Sequence, residues 1–380
     1  MKKMVRLASL AMAAAMAFST TAFAEGETFK IGAIGPMTGA AAVYGNAVMN
    51  AAQIAVDEIN EAGGVNGAML EFNPQDDEHD AEKSINAYNT LKDWGMQMLL
   101  GTVTSAPCIA VEAEAANDNM FLLTPSGSAV DCITAGDNAF RVCFSDPDQG
   151  AASARYIGEN ALAEKVAVIY DSSDVYSSGI FATFYAEAEN QPFEIVAYEA
   201  FTADSKTDFS VQLQKAKEAG AELVYLPIYY NEASLIFTQA AGMDFAPMWF
   251  GVDGMDGILS VEGFDTALAE GVMLLTPFSA DAEDDMTKNF VAKYNELHGE
   301  TPNQFAADAY DGVYIIKAAL EQCGATPDMD ASAICDLMKA AMTEITVDGL
   351  TGAGMVWSAE GEPTKAPKAV VIENGAYKGM

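Results

Sequence analysis

Short apolar runs alternate along the chain with amphipathic stretches of helical period, and the alternation repeats. Residues 29–35 read as a strand, 45–62 as a helix whose Val48, Ala52, Ala55, Val56 and Ile59 share one stripe, and 69–72 as a second strand. A helix over 81–94, a strand over 97–101, a helix over 107–117 opened by Pro107, and a strand over 120–124 ending at Pro125-Ser126-Gly127-Ser128 continue the series. A second cycle follows Asp146-Pro147-Asp148, with helices over 149–163, 176–188, 209–219 and 232–241 interleaved with strands over 166–170, 194–198, 223–226 and 247–250. Helices return at 284–298, 304–323 and 331–342, and 354–377 reads as strands and turns rich in Gly and Pro. Parallel neighbours need a crossover on the sheet face, so this alternation predicts an α/β chain with helices on both faces of parallel sheets. Two such series make two doubly wound lobes. The helices after residue 284 serve to complete the first lobe, so the chain crosses between lobes more than once. Ligand sites of such sheets lie beyond the carboxyl ends of the strands, and two facing sheets make a cleft.

Composition narrows the partners. The 380 residues, 51% hydrophobic and 19% charged, are enough for two cores and too apolar for a disordered segment. Nineteen basic residues against 55 acidic ones give a formal charge of -36, which leaves too little positive charge for nucleic acid and sets the chain against an anionic membrane surface. The opening carries Lys2, Lys3 and Arg6, an apolar run over 7–18 interrupted by Ser9, and Ala22-Phe23-Ala24 before Glu25, the pattern of a secretory signal over 1–24 cleaved after Ala24. Cleavage removes three positive charges and takes -36 to -39. No later run reaches the roughly 18 apolar residues of a membrane span, and no Cys follows the cleavage site, so no anchor is expected. In an oxidising compartment the five cysteines are candidate disulfides. Cys132 with Cys143, and Cys323 with Cys335, bracket short turns and leave Cys108 free; buried thiols are the alternative.

Motifs for common cofactors are missing. Gly32, Gly35 and Gly39 lack the G-x-G-x-x-G spacing and Pro36 interrupts them, no Walker-type run occurs, and Ser128 has no G-x-S-x-G elbow. With His79 and His298 the sole histidines, neither a zinc site nor a histidine dyad is expected. The run Asp76-Asp77-Glu78-His79-Asp80 reads as a solvated turn at a helix start rather than a cation site. Polar residues at strand ends say more. Thr104-Ser105-Ala106-Pro107 puts hydroxyls at the start of a helix, where free N–H groups and the dipole attract an anion such as a carboxylate. Ser126 and Ser128 end the next strand at the same rim. Across the cleft, Tyr229 and Asp253 follow strands, with Gly251 and Gly254 beside the acid, and an acid there suits an ammonium. The pattern describes a cleft able to take a zwitterion.

Longer stretches carry a resemblance. Ile31-Gly32-Ala33-Ile34-Gly35-Pro36-Met37-Thr38-Gly39 with Tyr44-Gly45, Ala55-Val56-Asp57-Glu58-Ile59-Asn60 with Gly63-Gly64-Val65-Asn66-Gly67, Asp76-Asp77, Thr124-Pro125, Phe140-Arg141 with Asp148-Gln149-Gly150, and Tyr310-Asp311 resemble the leucine/isoleucine/valine-binding protein family, the substrate-binding proteins of ABC importers. The resemblance covers essentially the whole mature chain. It implies the type I periplasmic binding fold, two lobes joined by three hinge crossings, with lobe 1 over 25–146 plus 279–357 and lobe 2 over 147–278 plus 358–380. It also implies that Ser105 and Ser128 bind a ligand carboxylate, that the Ser126 carbonyl, Tyr229 and Asp253 bind its ammonium, that Tyr44, Val103, Thr104 and Phe305 line the side-chain pocket, and that Tyr176 helps to close the second lobe. Asp253 stands where the family has Glu, Ser128 where it has Thr, and Thr104 where some relatives have Cys; the cysteines of some relatives' disulfide have no counterpart here. Asp308, one turn before Tyr310-Asp311, is either a cleft residue or a hinge or solvated one. The expected protein is a periplasmic, monomeric, non-enzymatic importer component that takes an L-amino acid, of the branched-chain class, to an ABC permease without a cofactor. The alternatives are a sensor of the same fold for an amide or aromatic acid, and an exported enzyme with Ser105 or Ser128 as nucleophile, for which no base is placed.

Overall fold

The computed structural model describes residues 28–380, so the leader and its cleavage after Ala24 lie outside the described residues. β1 (Thr28–Gly35), β2 (Met69–Asp76), β3 (Met98–Gly101), β4 (Phe121–Thr124) and β5 (Ala139–Arg141) form one sheet in the order β2-β1-β3-β4-β5, parallel throughout. β3 and β4 are buried at every position, which is why they read as continuous apolar runs rather than alternating ones. Their side chains still divide by a period of two. Met98, Leu100, Phe121 and Leu123 join the core shared with α1 (Ala42–Glu61) and α9 (Gln304–Cys323), while Leu99 and Leu122 face α2 (Ala81–Trp94) and α3 (Ser105–Asp118).

β6 (Lys165–Asp171), β7 (Glu194–Phe201), β8 (Leu223–Leu226), β9 (Met248–Gly251), β10 (Met273–Thr276), β11 (Lys368–Glu373) and β12 (Ala376–Gly379) form a second sheet ordered β12-β11-β10-β9-β8-β6-β7. β6 to β10 run parallel; β11 and β12 are an antiparallel hairpin closed by Asn374-Gly375, both at positive φ as a tight two-residue turn requires. α4 (Asp146–Glu159), α5 (Val175–Ala188), α6 (Ser210–Glu218) and α7 (Tyr230–Gly242) accompany this sheet, whereas α8 (Asp285–His298), α9 and α10 (Ala331–Met342) return to the first, with α9 against α1 and α10 against β4. The backbone therefore passes between the sheets after β5, after β10 and before β11.

Several starts differ from the sequence reading. α3 opens at Ser105, with Thr104 as its extended N-cap, and α4 opens at Asp146, capped by Ser145 accepting from Asp148 N–H at 3.2 Å. β2 runs on to Asp76 because it pairs with all of β1. Neither β5 nor β10 was expected.

Neither bracketed pair is bonded in the structure. Cys132 sits in a single 3-10 turn packed on α3, its Sγ 3.7 Å from the Ser105 carbonyl. Cys143 is buried beside the charges of Arg141, Asp308 and Lys365. Cys323 ends α9 with its thiol on the Leu320 carbonyl at 3.6 Å, while Cys335 is buried on α10. Sequence proximity across a loop did not bring the sulfurs of either pair together.

Candidate functional site

The carboxyl ends of four strands deliver the site. Beyond β3 come Val103, Thr104 and Ser105; beyond β4, Ser126 and Ser128; beyond β8, Tyr229, the N-cap of α7; beyond β9, Asp253 and Gly254. α1 adds Tyr44, α5 adds Tyr176 and α9 adds Phe305. One small space is lined by Tyr44, Val103, Thr104, Ser105, Ser126, Tyr176, Tyr229, Asp253, Gly254 and Phe305. Its cavity volume is about 10 Å³, the size of one water, so the two sheets stand closed on each other. Gly45 lets the loop after β1 lie on α1, since a Cβ there would be 1.9 Å from the Pro36 carbonyl oxygen.

Ser128 is the one expected residue off that wall. It is buried behind it, with its carbonyl accepting from Asp146 N–H at 2.8 Å and from Arg141. Its hydroxyl faces the Asp146 carboxyl, which burial pushes well up, and neither group completes a hydrogen bond of good geometry.

At the acidic end, Asp253 Oδ1 accepts from the Tyr176 hydroxyl at 2.5 Å and from Gly254 N–H at 2.7 Å. Gly254 must be glycine for the phenol to reach, because a Cβ would sit 2.5 Å from Tyr176 Oη. Gln149 Oε1 accepts from the Asp253 amide at 3.3 Å, and Gln304 Nε2 donates to the Asp253 carbonyl at 3.0 Å. Among the described residues no Lys or Arg pairs with the carboxyl. Burial pushes it up to about 6, and bonds from Tyr176, Gly254 and Gln149 hold it from rising further. The phenols of Tyr44, Tyr176 and Tyr229 are also raised by burial and stay protonated, and Tyr229 Oη has no partner. Tyr176 and Tyr229 stack at 4.7 Å, and Tyr44 tilts against Phe305 at 4.4 Å.

At the opposite end, α3 presents its first turn with no side-chain cap. The turns after β3 and β4 are sewn together: Thr124 Oγ1 donates to Thr102 O at 2.6 Å and accepts from Gly127 N–H at 2.7 Å, Ser126 Oγ donates to Val103 O at 2.7 Å, and Ser105 Oγ accepts from Ala129 N–H at 3.2 Å. Arg141, wholly buried, donates to the carbonyls of Gly127, Ser128, Ala129 and Val130, with Nε 3.2 Å from Glu362. The helix dipole makes this end electropositive, while the Arg141 charge is matched by Glu362.

Three residues the sequence reading gave no role therefore hold the site: Arg141, Gln149 and Gln304. The first two lie inside quoted motifs, which was the available signal. The acidic run after β2 is also less solvated than expected. Asp76 accepts from Met37 N–H at 2.8 Å and from the Thr38 hydroxyl at 2.6 Å, and Asp77 is buried and raised to about 7 by its burial. Asp80 does cap α2. His79 Nδ1 lies 2.9 Å from Thr104 Oγ1, with its ring edge on Tyr229. Asp308 is no cleft residue: it pairs with Lys365 at 2.8 Å, both side chains almost inaccessible, and burial still raises it to about 6. Among the described residues no His, Cys, Asp and Glu cluster could hold a metal ion.

The family model described as periplasmic binding protein matches residues 28–376. Leu/Ile/Val-binding protein homolog 3 of Brucella melitensis is 30% identical over 334 residues, 86% of this chain and 87% of that protein. The leucine-, isoleucine-, valine-, threonine-, and alanine-binding protein of Pseudomonas aeruginosa is 28% identical over 333 residues, 87% of this chain and 88% of that one. Among solved structures, the substrate binding protein LivJ from Streptococcus pneumoniae, in complex with isoleucine, superposes with a TM-score of 0.84 at 30% identity over 92% of this chain and 98% of that chain. The leucine binding protein LivK from Thermotoga maritima superposes with 0.82 at 26% identity, over 93% of this chain and 98% of that chain. With a family model spanning nearly every described residue and a relative 30% identical over 87% of its length, the chain belongs to the periplasmic binding protein family, among its Leu/Ile/Val-binding members.

Proposed function

We propose that the chain is the exported solute-binding component of an ABC importer, which captures a branched-chain L-amino acid and carries it to the permease. The observation that carries this reading is the Asp253 carboxyl, buried opposite an uncapped helix start without a cation of its own. An α-ammonium supplies that cation, and the first turn of α3 with Ser105 takes the α-carboxylate. Each charged end then exchanges hydration for charge-assisted hydrogen bonds. The side chain lies among Tyr44, Val103, Thr104 and Phe305, where loss of apolar surface from water adds affinity. Ser128 contributes through its carbonyl and the Asp146 contact, steadying the turn that bears Ser126. In this reading lobe 1 comprises 25–146 plus 279–357 and lobe 2 comprises 147–278 plus 358–380, the protein is a monomer of the periplasm, and the permease docks the closed pair.

A cavity the size of one water admits no amino acid, so uptake requires the lobes to part and Tyr44 to release its bonds across the cleft. Closure over the ligand is then the signal the permease reads. Catalysis has no place in the scheme: Ser105 accepts from Ala129 N–H, and His79 is engaged with Thr104.

The test is a thermal-shift screen of protein unfolded and refolded to strip bound solute, against the twenty L-amino acids and small organic acids. A ligand at a hundred times its Kd contributes about 2.7 kcal/mol and moves Tm by degrees. Leu, Ile and Val are expected to shift it. A response to aromatic acids alone would replace the amino acid by another solute, and no response to any amino acid would overturn the zwitterion site.

A further inference from the structure

Cys108, left without a partner by the sequence spacing, stands in the fold next to Cys132. We propose that these two residues form a disulfide that ties the first turn of α3 to the 3-10 turn over Val130–Ile133, directly behind the electropositive end of the cleft. Cys108 is the fourth residue of α3, one turn beyond Ser105, so the two side chains stem from neighbouring positions of the helix surface. Its Sγ lies 3.9 Å from the Cys132 carbonyl, and Cys132 Sγ lies 3.7 Å from the Ser105 carbonyl. The two thiols are near enough to perturb each other, and both residues are fully buried in the same apolar cluster. Gly127 leaves the space the pair needs: a Cβ there would stand 2.8 Å from Cys108 Sγ.

In the exchange the Cys108 thiolate displaces one sulfur of a disulfide-bearing oxidant, giving a mixed disulfide and one released thiol. Cys132, losing its proton, then displaces the second. One S–S bond forms in the chain, one is cleaved in the oxidant, and the two electrons and two protons end on the oxidant's two thiols. Because both sulfurs are sealed in the folded chain, the exchange belongs to the folding stage, before the turn docks on α3. The product closes a loop of about 25 residues, enough to constrain the unfolded chain appreciably. It also fixes Ser105 and Ser126 on one cross-linked unit. The inference does not depend on which solute fills the cleft.

The experiment is thiol counting on the exported full chain. Protein is denatured in an alkylating agent, and intact mass is read before and after reduction. Of the five cysteines, three are expected to be alkylated before reduction and all five after it, with peptide mapping joining Cys108 to Cys132. Five thiols before reduction, or a bridge between any other pair, would overturn the proposal. In a second measurement, reductant added before the melt is expected to lower Tm of the wild type by several degrees and to leave the Cys108→Ala/Cys132→Ala variant unchanged. An equal effect of reductant on both proteins would also overturn it.

Discussion

The substitution Asp253→Asn separates the two roles of the buried acid. Asparagine keeps the size of the side chain and an oxygen for the Tyr176 hydroxyl and the Gly254 amide, so the loop beyond β9 is expected to hold. Only the charge is lost. Removing one partner of a buried charge pair costs about 2–5 kcal/mol of binding, which raises Kd by roughly 30-fold to several thousandfold. The pH dependence provides a second signature. With the carboxyl at about 6 when the cleft is empty, and held ionised by the ligand's ammonium, wild-type affinity is nearly constant above neutrality. It weakens by about twofold at pH 6 and by about tenfold for each further unit of acidity, since a one-unit shift is 1.36 kcal/mol. The empty protein responds in the opposite sense. An acid raised from 3.8 to about 6 binds its proton more tightly folded than unfolded, so its contribution to stability falls as pH rises between those values. At pH 7 the cost is roughly 3 kcal/mol by the same conversion. Asp253→Asn is thus expected to raise Tm of stripped protein at pH 7 while it weakens binding. Asp77, Asp174, Asp256 and Asp308 are also raised into the range of about 6 to 7, and Asp146 upward, so the informative quantity is wild type minus variant. Titration calorimetry from pH 5 to 8 and scanning calorimetry read both effects. A variant that binds within threefold of wild type with the same pH slope would refute the ammonium assignment.

Tyr44→Phe removes the hydroxyl that donates to the Gly254 carbonyl and accepts from Tyr230 N–H across the cleft, at about 1–3 kcal/mol for each buried group left unpaired. Small-angle scattering of stripped protein is expected to show a larger radius of gyration than wild type; an unchanged profile would count against Tyr44 as a bond between the lobes. Asp308→Leu leaves Lys365 buried and alone, at about 3–5 kcal/mol, whereas Asp308→Leu with Lys365→Met is expected to recover most of the loss in urea denaturation. Equal midpoints for the single and double variants would contradict the pairing. Arg141→Met removes the donor shared by the four carbonyls of residues 127–130, so hydrogen exchange of the amides after β4 is expected to quicken and amino acid affinity to drop about tenfold, at about 1–2 kcal/mol. Unchanged exchange there would show that the turn holds itself.

What could be read from the sequence follows from the range of the interactions involved. The boundaries of α2, α9 and α10 match the periodic stretches because their stops and starts are local: Asp80, Asn303 and Asp330 cap the first turns, and Gly95 and Gly324 end two of the helices in the left-handed conformation. β5 and β10, three and four residues long, are strands only because a neighbouring strand offers a free edge, and nothing within Ala139–Arg141 announces that. Candidate site residues at strand ends were legible because a parallel sheet sends every strand end to one rim. The sulfurs were not. A turn over Val130–Ile133 had to fold back on α3 before Cys132 could face Cys108, and chain spacing holds no record of that return. Gln149 and Gln304 escaped for the same reason, since each reaches Asp253 from a distant segment.

Those distant contacts are also the ones that decide how the protein moves. Within each sheet, ladders of backbone bonds and dry cores hold the strands. Between the sheets, hydrogen bonds join Tyr44 with Gly254 and Tyr230, the Val43 amide with Tyr230 Oη at 3.3 Å, and Gln304 with Asp253 and Asp256, beside ring contacts of His79 and Tyr44 on Tyr229. Each such bond contributes about 0.5–1.5 kcal/mol net. Asp253 is held in the closed cleft without a counter-charge. An ammonium arriving there relieves the cost of the buried carboxylate in the closed form and does nothing comparable for a carboxylate left in water. That difference in affinity between the two forms is what a ligand needs in order to shift the lobes toward closure. On the proposed ammonium assignment, the acid that makes the empty cleft less stable is therefore the group through which occupancy closes it.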